Sequence, residues 1–146
     1  MVLHNPKLIQ FKQPLDWSCG VYALRYLLFL SGVKLRPTED DLGTNEIDGT
    51  LPGAITEYLY RENVLPHATF TGTAIEDVPK PCLVLYRWYR DDHYSVVTRC
   101  TKKRVWLFNP GNGKVESLKL QDFEDRWWTK RPSSRTWALT LERYGK

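Results

Sequence analysis

The stretch Gln13-Pro14-Leu15-Asp16-Trp17-Ser18-Cys19-Gly20 sets a glutamine six residues ahead of a cysteine that opens a nearly all-apolar run. From Cys19 to Leu30 the only charged residue is Arg25, so Val21, Ala23, Leu24, Leu27, Leu28, Phe29 and Leu30 predict a helix buried on most sides, ended by Ser31-Gly32. Cys19 falls in its first turn. Unpaired backbone N–H groups and the positive end of the helix dipole there favour a thiolate, with a thiol pKa expected below the free value of ~8.5. A thiolate attacks carbonyl carbon, and the resulting oxyanion needs donors. The cysteine's own N–H is one, and Gln13, a short loop away, is a fitting side-chain amide for the other. The same residues also describe a buried structural cysteine with Gln13 incidental, so the reading turns on a base.

The chain has three histidines. His4 lies in the N-terminal segment, and His67 follows Pro66 at a loop or strand start. His93 begins Asp92-His93-Tyr94-Ser95-Val96-Val97-Thr98, whose β-branched and aromatic content predicts a strand after the strand-like run Cys82–Tyr86. A third strand, Val105-Trp106-Leu107-Phe108-Asn109, ends in the turn Pro110-Gly111-Asn112-Gly113. If these two strands pair as a hairpin, Asn109 comes close to His93. Its carbonyl can then accept the imidazole N–H and hold the tautomer that faces a thiol, the arrangement of a Cys-His-Asn triad. The plain alternatives are a half-exposed strand histidine and a turn asparagine before proline; the order of the four residues favours the site.

Gln13, Cys19-Gly20 opening an apolar helix, His93-Tyr94 opening a strand and Asn109-Pro110 closing the next together resemble the papain-fold bacteriocin-processing, or double-glycine leader, peptidases. The resemblance extends to Gly49-Thr50 before a second helix and to Leu118–Trp128, similar to that family's short helix ending in tryptophan. It implies Cys19 as nucleophile, His93 as general base and acid, Asn109 as orienting residue and Gln13 as oxyanion donor. Family members more often carry Asp at the third position and Asp-Cys-Gly-Pro at the nucleophile, where this chain has Asn109 and Ser18-Cys19-Gly20-Val21.

At 146 residues with 42% apolar content, the chain has material for one compact domain spanning residues 1–146, able to bury roughly 68–70% of its unfolded surface. The expected plan is α+β, a papain-like fold in which an N-terminal helical layer carrying the nucleophile helix packs on a C-terminal antiparallel sheet. Residues 1–18 read as an extended approach and residues 33–50 as loop. Asp48-Gly49-Thr50 reads as the cap of a helix from about Leu51 to Glu62, with Tyr58 and Tyr60 as packing residues. Strands dominate from residue 82, interrupted by a helix over 120–128 and closed by Thr136–Glu142. No basic leader precedes an apolar core and Arg25 breaks the longest apolar run, so neither signal peptide nor spanning helix is expected, and a cytoplasmic setting follows. Three cysteines cannot all pair, so Cys82 and Cys100 are expected as reduced strand residues. No Cys-His spacing suits zinc, and neither metal nor cofactor is expected.

Charge divides the chain. Residues 1–79 carry six Lys/Arg and ten Asp/Glu, a net of −4, whereas residues 80–146 carry fifteen and seven, a net of +8. Arg87-Trp88-Tyr89-Arg90, Lys102-Lys103-Arg104 and Arg126-Trp127-Trp128-Thr129-Lys130-Arg131 interleave cations with aromatics as single-stranded nucleic-acid binders do. Solvated strand faces and turns with core tryptophans explain them more simply, and weak polyanion binding is the expectation. The functional reading is a papain-like cysteine peptidase acting on a peptide or flexible protein tail. Acyl transfer and glutamine deamidation are alternatives on the same constellation. Outside enzymology stands a non-catalytic binding module, for nucleic acid or another partner.

Overall fold

The structure, a computed structural model, describes residues 6–64, 67–88, 91–127 and 136–141. A four-residue helix, α1 (Pro6–Ile9), lies in the segment expected to be extended. It is followed by α2 (Cys19–Leu30), α3 (Pro52–Arg61), β1 (His67–Thr71) and a 3-10 turn (Ile75–Asp77). Then come β2 (Cys82–Trp88), β3 (Asp91–Cys100), β4 (Arg104–Asn109), β5 (Lys114–Lys119), α4 (Leu120–Trp127) and β6 (Trp137–Leu141). The six strands form one antiparallel sheet in the order β1-β6-β2-β3-β4-β5. The α+β expectation holds. Of the two readings of His67, loop or strand start, the structure has the strand β1, whereas β5 was not foreseen because Lys114–Lys119 is largely polar and half-exposed on the sheet.

Adjacent residues in the central strands serve two different cores. Leu83, Val96, Phe108 and Leu139 join Leu24, Leu27, Leu28, Ile55 and Leu59 of α2 and α3 in one cluster. Their chain neighbours Val84, Val97, Leu107 and Ala138 join Phe123 and Trp127 of α4, with Ile75 and Val78, in the other. Because side chains alternate across a strand, a sheet covered on both faces needs apolar residues at consecutive positions, which is why these strands read as unbroken runs. Helix α2 ends as expected. The Ser31 N–H bonds Leu27 O, and Gly32 adopts φ +75°, the left-handed conformation that lets Val33 N–H return to Leu28 O at 2.9 Å.

Helix α3 departs from its expected cap. Leu51 occupies the N-cap in extended conformation with no side-chain cap bond, and Pro52 supplies the first turn. Thr50 instead pairs its hydroxyl with that of Thr44 at 2.6 Å, while its carbonyl accepts from the Tyr94 hydroxyl at 2.7 Å. Tyr58 is buried as expected, whereas Tyr60 is mostly exposed and sets its ring edge-on to His67 at 4.7 Å. Among the cysteines, Cys82 is buried and Cys100 half-buried, and Cys19, Cys82 and Cys100 are all free. No described helix is long and apolar enough to cross a membrane.

Gly20 is where the two layers meet most closely. A Cβ there would stand 2.6 Å from Thr50 Cβ, 2.8 Å from Thr50 Oγ1 and 3.0 Å from Tyr94 Cδ2, so only glycine lets α2 pack against both. Gly20→Ala is expected to cost about 1–3 kcal/mol through overpacking, read as a lower urea midpoint with unchanged m-value.

Candidate active site

The paired strands β3 and β4 bring His93 and Asn109 together. Their ladder sets Val96 opposite Phe108, and continuing that register puts Asn109 opposite Ser95 and diagonal to His93 on the same face. His93 Nε2 lies 2.7 Å from Asn109 Oδ1, and both side chains are buried. The same oxygen accepts the Gly111 N–H at 2.8 Å. A backbone N–H can only donate, so the atom it meets must be the amide oxygen. Oxygen facing Nε2 in turn requires the neutral imidazole to carry its proton on Nε2, leaving the lone pair on Nδ1. Gly113 N–H and Asn112 N–H bond the Asn109 carbonyl at 2.8 and 3.3 Å, so the turn after β4 is folded around this residue.

Cys19 is the first residue of α2 and is half-buried. Backbone amides of Tyr94, Gly20 and Cys19 itself point at its sulfur, and the Tyr94 contact sets it beside the residue that follows His93. The Tyr94–Thr50 bond and the tight fit at Gly20 hold that arrangement. Burial raises the thiol pKa, and the three amides only partly offset it. The expectation of a lowered pKa is therefore corrected: desolvation at the foot of a buried helix outweighs the amides that a sequence reading counted. Burial likewise lowers the His93 pKa, against the raising effects of the Asn109 bond and the Glu116 carboxylate. Both shifts favour an uncharged thiol and an uncharged imidazole at rest.

Gln13 is anchored to the site by its backbone, whose N–H bonds Pro110 O at 2.8 Å beside Asn109. Its side chain donates from Nε2 to Leu15 O at 2.7 Å and to Asp16 O at 3.1 Å, so the amide is engaged within its own loop. Gln13 Oε1, Ser18 Oγ and Asn109 Nδ2 are buried without hydrogen-bond partners. All three belong to the candidate site residues or their chain neighbours, and buried unsatisfied polar atoms of this kind often mark function. Thr50, whose hydroxyl and carbonyl are both used here, reads in the sequence as part of a helix cap and of the Gly49-Thr50 resemblance, with no role at the site. Glu116 was not singled out at all, since a lone carboxylate in a polar strand carries no sequence signal.

The profile of the Peptidase C39 family matches residues 11–131. The chain belongs to the Peptidase C39 family. Its fold is similar to that of a double-glycine-motif protease from an AMS/PCAT transporter solved in complex with the leader peptide, at 18% identity and a TM-score of 0.68, covering 90% of this chain and 89% of that one. It is also similar to the peptidase domain of Streptococcus ComA, a bi-functional ABC transporter involved in quorum sensing, at 20% identity and a TM-score of 0.68, covering 90% and 95%. None of the curated proteins matches the sequence. This C39 chain is a cysteine peptidase with a papain-like fold, as the ordered residues implied.

Other concavities of this peptidase lie away from the site. One of about 550 Å³ sits at the far end of α2 between Phe11, Phe29, Val33 and Leu35, rimmed by Arg25 and Arg36. Another, of about 480 Å³, is lined by Lys102, Lys103, Arg104 and Lys119 with Leu120 and Glu124. Of the other basic clusters, Tyr89, Arg90 and residues 128–131 lie outside the described residues, as do His4 and the end of the predicted 120–128 helix. Among the described residues no three His, Cys, Asp or Glu side chains converge to hold a metal ion.

The raised thiol pKa has a measurable sign. Alkylation of Cys19 by iodoacetamide is expected to climb with pH through the ordinary thiol range and beyond, because thiolate appears only as pH approaches the raised value. Cys82, buried and pushed up to about 12, should label far more slowly. A Cys19 rate already flat at pH 5 would instead show a standing thiolate–imidazolium pair.

Proposed function

We propose that Cys19, His93 and Asn109 form the catalytic triad of this cysteine peptidase, that Gln13 serves its oxyanion, and that the substrate is a peptide or flexible protein tail. The buried hydrogen bond from His93 Nε2 to Asn109 Oδ1 is the observation that carries this reading, with the Cys19 sulfur met by the backbone amide of the adjacent Tyr94. The complex of a fold neighbour with a leader peptide supports a peptide substrate, and double-glycine cleavage in that neighbour supports a small residue at the scissile bond.

Nδ1 takes the thiol proton as sulfur attacks the scissile carbonyl, and the oxyanion is met by the Cys19 N–H. Gln13 Nε2 joins it once one of its two bonds to the loop carbonyls is released. The imidazolium, held by Asn109, then protonates the leaving amine, giving a thioester and a free amino terminus. Water, deprotonated by His93, attacks the thioester and releases the acid and the thiol. A neutral resting pair suits this sequence, because charge appears only as the transition state is approached. Acyl transfer would replace that water by an amine, and deamidation would release ammonia. Product masses separate the three.

In a fluorogenic peptide assay, Cys19→Ala is expected to abolish turnover with the fold retained by circular dichroism. Gln13→Ala should lower kcat by about 10²–10³ with little change in KM. Asn109→Ala frees the imidazole to rotate and should cost less than His93→Ala. An Asn109→Ala variant as active as wild type would leave a Cys-His dyad, and turnover in pure Cys19→Ala would place the chemistry elsewhere. A peptide library should show preference for glycine on the acyl side of the cut.

A second, non-catalytic property belongs to the basic concavity. Lys102 and Lys103 lie in the turn between β3 and β4, at the end of the hairpin opposite His93 and Asn109, roughly 20 Å away at the rise of a β-strand. We infer weak polyanion binding there. Affinity for single-stranded nucleic acid should fall with salt at a log–log slope of roughly −0.7 per phosphate contacted and vanish by physiological salt. Neutralising Lys102, Lys103 and Arg104 should flatten that slope and leave Cys19 alkylation unchanged. Tight, salt-resistant binding with an unreactive Cys19 would make the protein a binding module.

A further inference from the structure

Four neighbouring strands each contribute one polar side chain to a single row. Tyr86 on β2 faces His93 on β3, with rings 5.9 Å apart in an edge arrangement. His93 bonds Asn109 on β4. On β5, Lys114 pairs with Asn109 and Glu116 with Leu107, which sets Glu116 diagonal to Asn109 on the same face. Glu116 is half-buried and accepts a hydrogen bond from Asn112 Nδ2, and Asn112 belongs to the turn that closes around Asn109. The carboxylate is thus fixed to the same turn that holds the imidazole's partner.

We propose that Glu116 is a positioning residue of this site, whose carboxylate supplies from β5 the negative field for the His93 imidazolium that a neutral asparagine at position 109 does not provide. The proposal rests on the triad reading above. The chain has a neutral hydrogen-bond acceptor at position 109 and holds a negative charge one strand further out, at Glu116. The Glu116 carboxylate raises the His93 pKa, after the larger effects of burial and the Asn109 bond, and it also acts on Tyr86. The other ionisable groups around the row, among the described residues, include the Cys19 thiol from α2, the Tyr86 phenol from β2, the Arg126 guanidinium from α4 and the exposed Lys114 ammonium, the direct cross-strand neighbour of Asn109 on β5. Arg126 opposes Glu116 at Tyr86. Asn109 Nδ2 is a buried donor without a hydrogen-bond partner on this row. A nearby negative charge offsets the cost of leaving an N–H unpaired, and an aspartate there would instead set two carboxylates on diagonal positions of one face.

The test combines Glu116→Gln with NMR titration of the isotope-labelled His93 ring and the pH profile of kcat/KM. Glutamine keeps an acceptor for Asn112 and removes only the charge. Imidazolium then loses a stabilising partner, so the His93 midpoint should fall by about half a unit to one unit. The acid limb of kcat/KM should move to lower pH by the same amount, and the plateau should drop roughly three- to tenfold. Glu116→Asp should recover part of both. Asn112→Ala, which releases the carboxylate, should shift the midpoint in the same direction by less. In an Asn109→Asp background the sign should reverse, with Glu116→Gln raising activity by relieving like-charge repulsion.

A lower plateau with an unmoved His93 midpoint would mean a merely structural role and overturn the proposal, as would a Glu116→Gln variant identical to wild type. Both outcomes leave the triad standing. Full activity in His93→Ala would instead remove the triad reading, while the ring titration would still decide whether Glu116 acts on His93.

Discussion

One oxygen atom organises this site. Asn109 Oδ1 receives the Gly111 N–H, an obligate donor, and the His93 Nε2 proton, and it does so out of contact with water. Leaving any one of these groups unpaired in the interior costs about 1–3 kcal/mol, so the turn conformation, the amide orientation and the imidazole tautomer select one another. From the tautomer follows the basic nitrogen, and from the turn follows the anchoring of Gln13 through Pro110. The N-terminal segment is tied in at the same place: a Cβ on Gly113 would approach Lys12 Cβ to 3.1 Å.

Cys19 is set by packing and by the Tyr94–Thr50 bond together. Helix α2 is placed by the apolar cluster it shares with β3, and its first turn is pressed against Thr50 and Tyr94 through the bare backbone of Gly20. Tyr94 does two jobs. Its hydroxyl ties β3 to the segment before α3, and its backbone N–H meets the Cys19 sulfur.

Burial sets the electrostatics. The same desolvation that raises the thiol and lowers the imidazole makes every charge formed during reaction strongly felt by fixed dipoles and by Glu116. The excess cations of the C-terminal half described here do not share that environment, since Lys102, Lys103 and Arg104 are exposed at the opposite end of the hairpin. Charge in this protein is thus divided between a few groups in a low-dielectric site and many on a solvated edge, where screening limits them.

By itself the sequence determined the elements with strong period or composition: the apolar helix from Cys19, the strands around His93 and Asn109, and the short helix before Trp127. It also determined the order of reactive residue types, because a thiol, an imidazole and an amide at element ends are local facts. Tertiary structure decided what depends on distance and desolvation. The sign of the Cys19 shift was misread because dipole and amides are visible locally, whereas the burial that outweighs them is contributed by β3 and the segment before α3. Thr50 turned from cap to brace because Tyr94, 44 residues away, claims its carbonyl. Glu116 came beside Asn109 only through the register of β5, a polar strand whose pairing no hydrophobic pattern specified. Cross-strand neighbours are set by register, and register is a property of the folded sheet.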